Sequence, residues 1–158
     1  APTLADVEAY LSGLMLRVEI ANVDMTKCGW VMSPRTIRWI GSLRDGNGNK
    51  AFPEVDSGKL KGYPFALTTQ IPINLGAGAD ESEIYFINFA DMYIGEDQQL
   101  VIAYSSEAAY KDSNGDMQSA FQRNQTLVRV IAKHDFGPRH VESIVVGTQV
   151  KWGKTMLA

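Results

Sequence analysis

The chain has 158 residues, 45% hydrophobic and 21% charged, with a net charge of −3. That suits one soluble domain with a real core, or one domain plus an extension, and the slight acidity argues against a dedicated DNA-binding module. No apolar run approaches membrane-span length, the start lacks a secretory-signal pattern, and the only cysteine, Cys28, excludes an internal disulfide or a cysteine-based zinc site within one chain.

Leu4, Val7, Leu11, Leu14 and Val18 are spaced three, four, three, four. This is the apolar stripe of a core-facing helix of roughly five turns, with Thr3 as N-cap and an end near Asn22. Residues 22–28 read as a polar turn. Trp30-Val31-Met32 has the length of a fully buried strand, and the period then switches at once. Ser33 can cap a starting helix, and Pro34 suits its first position because the missing N–H would be unpaired there anyway. Ile37, Trp39, Ile40 and Leu43 give that helix an apolar face. Gly41 weakens it slightly.

Asp45-Gly46-Asn47-Gly48-Asn49 imitates the opening of a calcium loop, but Lys50 stands at the sixth position where glycine is needed and no glutamate stands at the twelfth. A tight turn is the better reading, and the same holds for Asp112-Ser113-Asn114-Gly115-Asp116. Ala51 to Pro53 can be a short strand, 54–62 a polar loop, and Gly62-Tyr63-Pro64 a turn. Phe65 to Ile71 then reads as a strand ending at Pro72. Gly76 to Asp80 is a flexible loop. It lacks the Lys-Ser/Thr ending of a phosphate cradle, and the acids after it would repel phosphate.

Ile84-Tyr85-Phe86-Ile87 is typical of a central strand. Asp91 to Asp97 reads as a turn, Leu100 to Tyr104 as a strand, and 105–119 as a polar tip. One long strand is expected from Phe121 to Asp135. Together with the strand before the tip it makes a ribbon that needs a partner to cover it. Gly137-Pro138 breaks the chain, and Val141 to Trp152 supplies a last strand.

Charge is unevenly spread. Residues 80–118 hold nine acidic side chains and one basic, Lys111, whereas residues 119–158 hold six basic and two acidic. The two stretches should attract, within the fold or between copies.

A set of short pieces, in order, resembles the C-terminal portion of the major capsid proteins of tailed bacteriophages, the Hong Kong 97-type fold. They are Trp30-Val31-Met32-Ser33-Pro34, Leu43-Arg44-Asp45 with Gly48-Asn49 and Phe52, Leu60-Lys61-Gly62-Tyr63-Pro64, and Ile71-Pro72. Next come Ile84-Tyr85-Phe86 through Phe89, Tyr93-Ile94-Gly95 and Leu100-Val101-Ile102. Phe121, Asn124, Val128-Arg129 and Lys133-His134-Asp135 close the series. The order runs across about residues 27–150. Ile87-Asn88 departs from the family's common Gly-Asp, which bears on a local turn or bulge.

The resemblance implies an α+β capsid axial-domain lobe with a central mixed sheet flanked by helices, plus a long β-ribbon from the peripheral domain. On that reading residues 1–102 and 138–158 form the axial lobe and 103–137 the ribbon. The family's N-terminal arm, extended loop and spine helix would precede residue 1. It further implies a structural subunit that assembles into pentamers and hexamers of an icosahedral head enclosing DNA, within a virion built in the bacterial cytoplasm. Its partners would be copies of itself, with scaffolding, portal and decoration proteins. Packaged DNA would lie close by nonspecifically, and no membrane, cofactor or metal would be involved. Loops 45–62 and 74–82 would lie toward the capsomer axis, testable by charge reversal at Asp80, Glu81 and Glu83. A bacterial nanocompartment shell would share the fold.

Two readings from other classes compete. One is a thiol-dependent hydrolase with Cys28 as nucleophile, His134 or His140 as base and an acid such as Asp135. The other is a binding module that offers the ribbon as a sheet edge.

Overall fold

A computed structural model describes residues 2–97 and 100–157. The chain divides into two compact units: residues up to Met92 together with those from Pro138 on, and Tyr93–Gly137.

The first unit is built on the sequence's strongest signals. Helix α1, Leu4–Ile20, starts in a capping box. The Thr3 hydroxyl accepts from the Asp6 N–H, and the Asp6 carboxylate accepts from the Thr3 N–H at 2.9 Å. Val7, Leu11, Leu14 and Val18 are its buried stripe. Strand β1, Cys28–Met32, runs into helix α2, Pro34–Ser42, through the Ser33 cap, as the change of period requires. Strands β2 (Lys59–Leu60), β3 (Tyr63–Leu67), β4 (Ser82–Asn88) and β11 (Ile144–Val150) complete a mixed sheet of order β11-β4-β1-β3-β2. β1 is parallel to β3 and antiparallel to β4. The apolar run at Ile84–Ile87 is thus an interior strand, as expected.

The register separates the two sides of this sheet. Trp30 lies beside Phe65 and Phe86, and Phe86 beside Val145. That side faces the helices and holds the core, where Trp30 and Phe86 are fully buried with ring centroids 4.4 Å apart. Val31, Tyr85 and Val146 form a row on the opposite side, with Ile87 and Ile144 in the next row. None of these five belongs to the core cluster. Gly147 sits where β11 passes under α1. A Cβ there would stand 2.7 Å from the Tyr10 hydroxyl and 2.9 Å from Leu14, so the close approach needs glycine.

The second unit is a chain of two-stranded ladders. Strand β5, Met92–Glu96, pairs with β10, His134–Pro138. Strand β6, Val101–Ser105, pairs with β9, Leu127–Ile131. A tip hairpin joins β7, Ala109–Lys111, to β8, Met117–Ser119.

Several expectations need correction. Met92–Glu96 is a strand rather than a turn, and it leads into the compact unit Tyr93–Gly137. The polar tip over 105–119 holds a hairpin, with β7 paired to β8. The single strand expected over 121–135 is β9 and β10 with a break at 132–133, and Gly137-Pro138 lies in β10 rather than ending a strand before it. Alternation was legible there, but partner changes along a ribbon leave no mark on it. In the first unit, Pro53–Ser57 forms a 3-10 helix where a short strand and loop were expected, and β3 stops at Leu67 rather than Ile71. The Thr68 hydroxyl accepts from the Gln70 N–H at 3.1 Å and turns the chain out of the sheet.

Candidate functional site

Among the described residues of the first unit, no imidazole stands against the Cys28 thiol. Cys28 is 2% exposed, and its Sγ donates to the Asp24 carbonyl at 3.5 Å and lies 3.8 Å from Met25 Sδ. Burial, and secondarily the Asp24 charge, push its pKa up to about 11, opposite to what a nucleophilic thiol needs. His134 and Asp135 are in β10 of the other unit. His140 is held elsewhere, with Nδ1 3.0 Å from Asp91 Oδ2.

Asp91, His140 and Ser143 bring the residue types of a hydrolytic triad together in the wrong order. The Ser143 hydroxyl also donates to Asp91 Oδ2, so serine and histidine share one carboxylate oxygen and no base faces the serine. These bonds, Ser143 first and His140 second, hold the Asp91 carboxyl below its ordinary range. The Arg139 N–H donates to the Asp91 carbonyl at 2.8 Å. The cluster fastens the turn at Phe89–Asp91 to that at Val141–Ser143. Asn88 has a similar structural task, since its side chain accepts from the Ala90 N–H at 3.0 Å and caps that turn. The departure at Ile87-Asn88 therefore leaves β4 intact.

The two calcium-like loops are twin turns. Asp45 Oδ1 accepts from the N–H groups of Asn47 and Asn49, both at 2.8 Å, and Asp112 Oδ1 accepts from those of Asn114 and Asp116 at 2.9 and 3.0 Å. Carboxylate lone pairs used this way face the loop's own backbone. Among the described residues no three His, Cys, Asp or Glu side chains gather to hold a metal ion, and no helix is long and apolar enough to cross a membrane.

The acidic and basic stretches meet inside the fold. Lys154 reaches Asp80 at 2.8 Å, and Lys151 lies 3.5 Å from both Asp80 and Glu81. In the ribbon Lys133 pairs with Asp97 at 3.3 Å. Buried Arg35 ties the same corner together, donating to the carbonyls of Ile73, Asp80 and Val150 at 3.1, 3.0 and 3.4 Å. The loop ending at Asp80 is thus clamped to α2 and to the end of β11. Sequence reasoning missed Arg35, because one arginine in an amphipathic helix reads as a surface charge.

The surface also carries apolar side chains. In the ribbon, Ile102 faces Val130 and Tyr104 faces Val128 on one side of the ladder, 48 to 70% exposed. Among the described residues of the first unit, the helices pack on the side of Trp30 and Phe86, and none lies over the side carrying Val31, Tyr85 and Val146. Such surfaces belong to proteins that meet other chains.

A family model described as "Phage capsid family" matches residues 4–149. The "Major capsid protein" of Klebsiella oxytoca phage phiKO2 is 49% identical over 150 residues, covering 95% of this chain and 35% of that protein. The chain therefore spans about a third of that relative's length. A solved chain of Gordonia phage Cozz superposes with a TM-score of 0.58 at 17% identity, covering 89% of this chain and 44% of that one. One from Mycobacterium phage Che8 gives 0.52 at 15% identity, covering 92% and 50%. At those identities the structures speak for the fold, which is the α+β class expected from the sequence. The family match and the phiKO2 relative together assign membership: this chain belongs to the phage capsid family.

Proposed function

We propose that this chain is the part of a major capsid subunit that builds the wall of an icosahedral phage head. Copies assemble into pentamers and hexamers, and closed symmetry turns many modest contacts into a stable shell around DNA. The observation that carries this reading is the 49% identity to the phiKO2 major capsid protein over nearly the whole chain. The first unit is the lobe facing the capsomer axis, with loops 45–62 and 74–82 toward that axis, and Tyr93–Gly137 is a peripheral ribbon. The virion is its location, after assembly in the host cytoplasm, where scaffolding, portal and decoration proteins meet it.

No bond-making chemistry is part of this function. The buried thiol and the shared Asp91 oxygen support a wall subunit over a hydrolase. The phage relative favours a head over a nanocompartment shell. A weakly acidic chain also suits a container into which DNA is driven, since a strongly basic lining would hold DNA tightly. Electron microscopy of the natural polypeptide carrying these residues is the test. Closed shells of pentamers and hexamers are expected, and a protein that stays monomeric or forms only filaments would overturn the reading.

A further inference from the structure

Opposite its core stripe, helix α1 carries a second row that is apolar except at Ser12, whose hydroxyl accepts from Lys61 Nζ at 3.2 Å. Ala5, Ala9, Ser12, Leu16 and Ile20 are spaced four, three, four, four, and at about 100° per residue they are centred opposite the core stripe. All five are exposed, Leu16 to 52% and Ile20 to 75%. A helix that is apolar on both faces is one that ends up covered on both. The first unit has its helices on one side of the sheet only. On the other side stand Val31, Tyr85, Ile87 and Ile144, half-buried, and Val146, 38% exposed, all outside the core cluster. The unit therefore shows apolar surface on two opposed outer sides: the back of α1 and the bare side of the sheet.

We propose that these two surfaces are the halves of one interface, in which the back of α1 of one copy covers the bare sheet side of the next. This deepens the capsid reading above and rests on it. The occupant is a second copy because the charges match. Glu8 and Arg17 flank the α1 stripe, about 14 Å apart along the axis, and neither has an ion pair among the described residues. On the sheet, Glu83 lies at one end of β4, where among the described residues it accepts from the Tyr85 hydroxyl and has no ion pair. Lys27, which has no ion pair among the described residues but lies near enough to Asp24 to help lower its pKa, precedes Cys28, which pairs with Asn88 at the other end. Those ends are about 17 Å apart. With α1 laid along β4, Arg17 meets Glu83 and Glu8 meets Lys27. Joining helix to sheet between copies gives the layered packing that domains favour. Because two different surfaces meet, the contact runs head to tail and closes into a ring if the rotation allows. A five- or six-membered ring is what the capsid reading requires.

The test uses the natural polypeptide in a Cys28→Ser background. Leu16→Cys protein is mixed with Val146→Cys protein before assembly, and the shells are treated with a short bismaleimide. Covalent dimers are expected from the mixture at about ten times the level of either variant alone, and the double variant should give a ladder ending at five and six subunits. Separately, Arg17→Glu and Glu83→Arg should each lower shell yield about tenfold, and their combination should restore it. Shells that form normally but give no dimer from the mixture overturn the interface and leave the capsid reading standing. Leu16→Cys linking to itself would also overturn it, replacing the ring contact with a two-fold one. If the parent protein forms no shells at all, the capsid reading fails first.

Discussion

The two units of this protein solve the same problem differently. The first buries Trp30, Phe86, Leu11, Met32 and Ile40 completely, so its strands and helices hold one another. Among the described residues of Tyr93–Gly137, only Ala120 is a buried hydrophobe. Its large apolar side chains, such as Tyr104, Phe121 and Phe136, are 64 to 77% exposed. Ladder hydrogen bonds define the ribbon's shape without supplying a core, and a two-stranded pairing is marginal alone in water. Exposed apolar residues on a structured ribbon mark surface meant to be covered by other chain. The first unit carries a buried core, and the ribbon carries exposed apolar surface.

Substitutions can break or sharpen that contrast. The largest effect is expected in the lobe's centre: Trp30→Ala should cost about 3–5 kcal/mol, measured by urea unfolding, whereas Tyr104→Ala in the ribbon should stay within about 0.5 kcal/mol. Equal losses at both positions would erase the distinction. Next is the clamp. Arg35→Met leaves the carbonyls of Ile73, Asp80 and Val150 without their donor and should cost about 3 kcal/mol, with faster amide exchange through 73–81 as the local signature. Gly147→Ala forces a methyl against Tyr10 and Leu14 and should cost about 1–3 kcal/mol, read as a lower melting temperature.

Acid sensitivity should also sit in the lobe. Hydrogen bonds from Ser143 and His140 lower the Asp91 pKa, and Lys154, followed by Lys151, does the same for Asp80. The folded state therefore binds these protons less readily than the unfolded one, whose carboxyls have the ordinary value of 3.8. Their contribution is complete above that pH and is lost as the pH falls through the lowered values. Melting temperature should fall as the pH drops below about 4 and on through the lowered values, and Asp91→Asn should flatten part of that drop. The smallest effect on shell yield is expected at Cys28→Ser, where the serine hydroxyl can keep the Asp24 carbonyl as its acceptor. The native thiol, pushed up to about 11, should resist alkylation at pH 8 until the lobe unfolds.

The charge-reversal test at Asp80, Glu81 and Glu83 changes meaning with the structure. Asp80 and Glu81 are paired with Lys151 and Lys154, so reversing them tests the fold. Glu83 alone remains a probe of contacts between copies.

By itself the sequence determined the local grammar. The stripe of α1, the switch from β1 through Ser33 and Pro34 into α2, the interior character of Ile84–Ile87 and the two Asp-capped turns were legible, because each depends on side chains a few residues apart. The order of short pieces also pointed to the capsid family. Only the tertiary structure decided which strands share a sheet, that β9 and β10 serve different partners, and that Arg35 turns inward to three carbonyls from distant segments. It alone distinguished the acids consumed inside the fold from those left facing out. Strand pairing and ion pairing are chosen among many spatially reachable alternatives, and the choice rests on burial and closure of the whole chain, which no short window of residues contains.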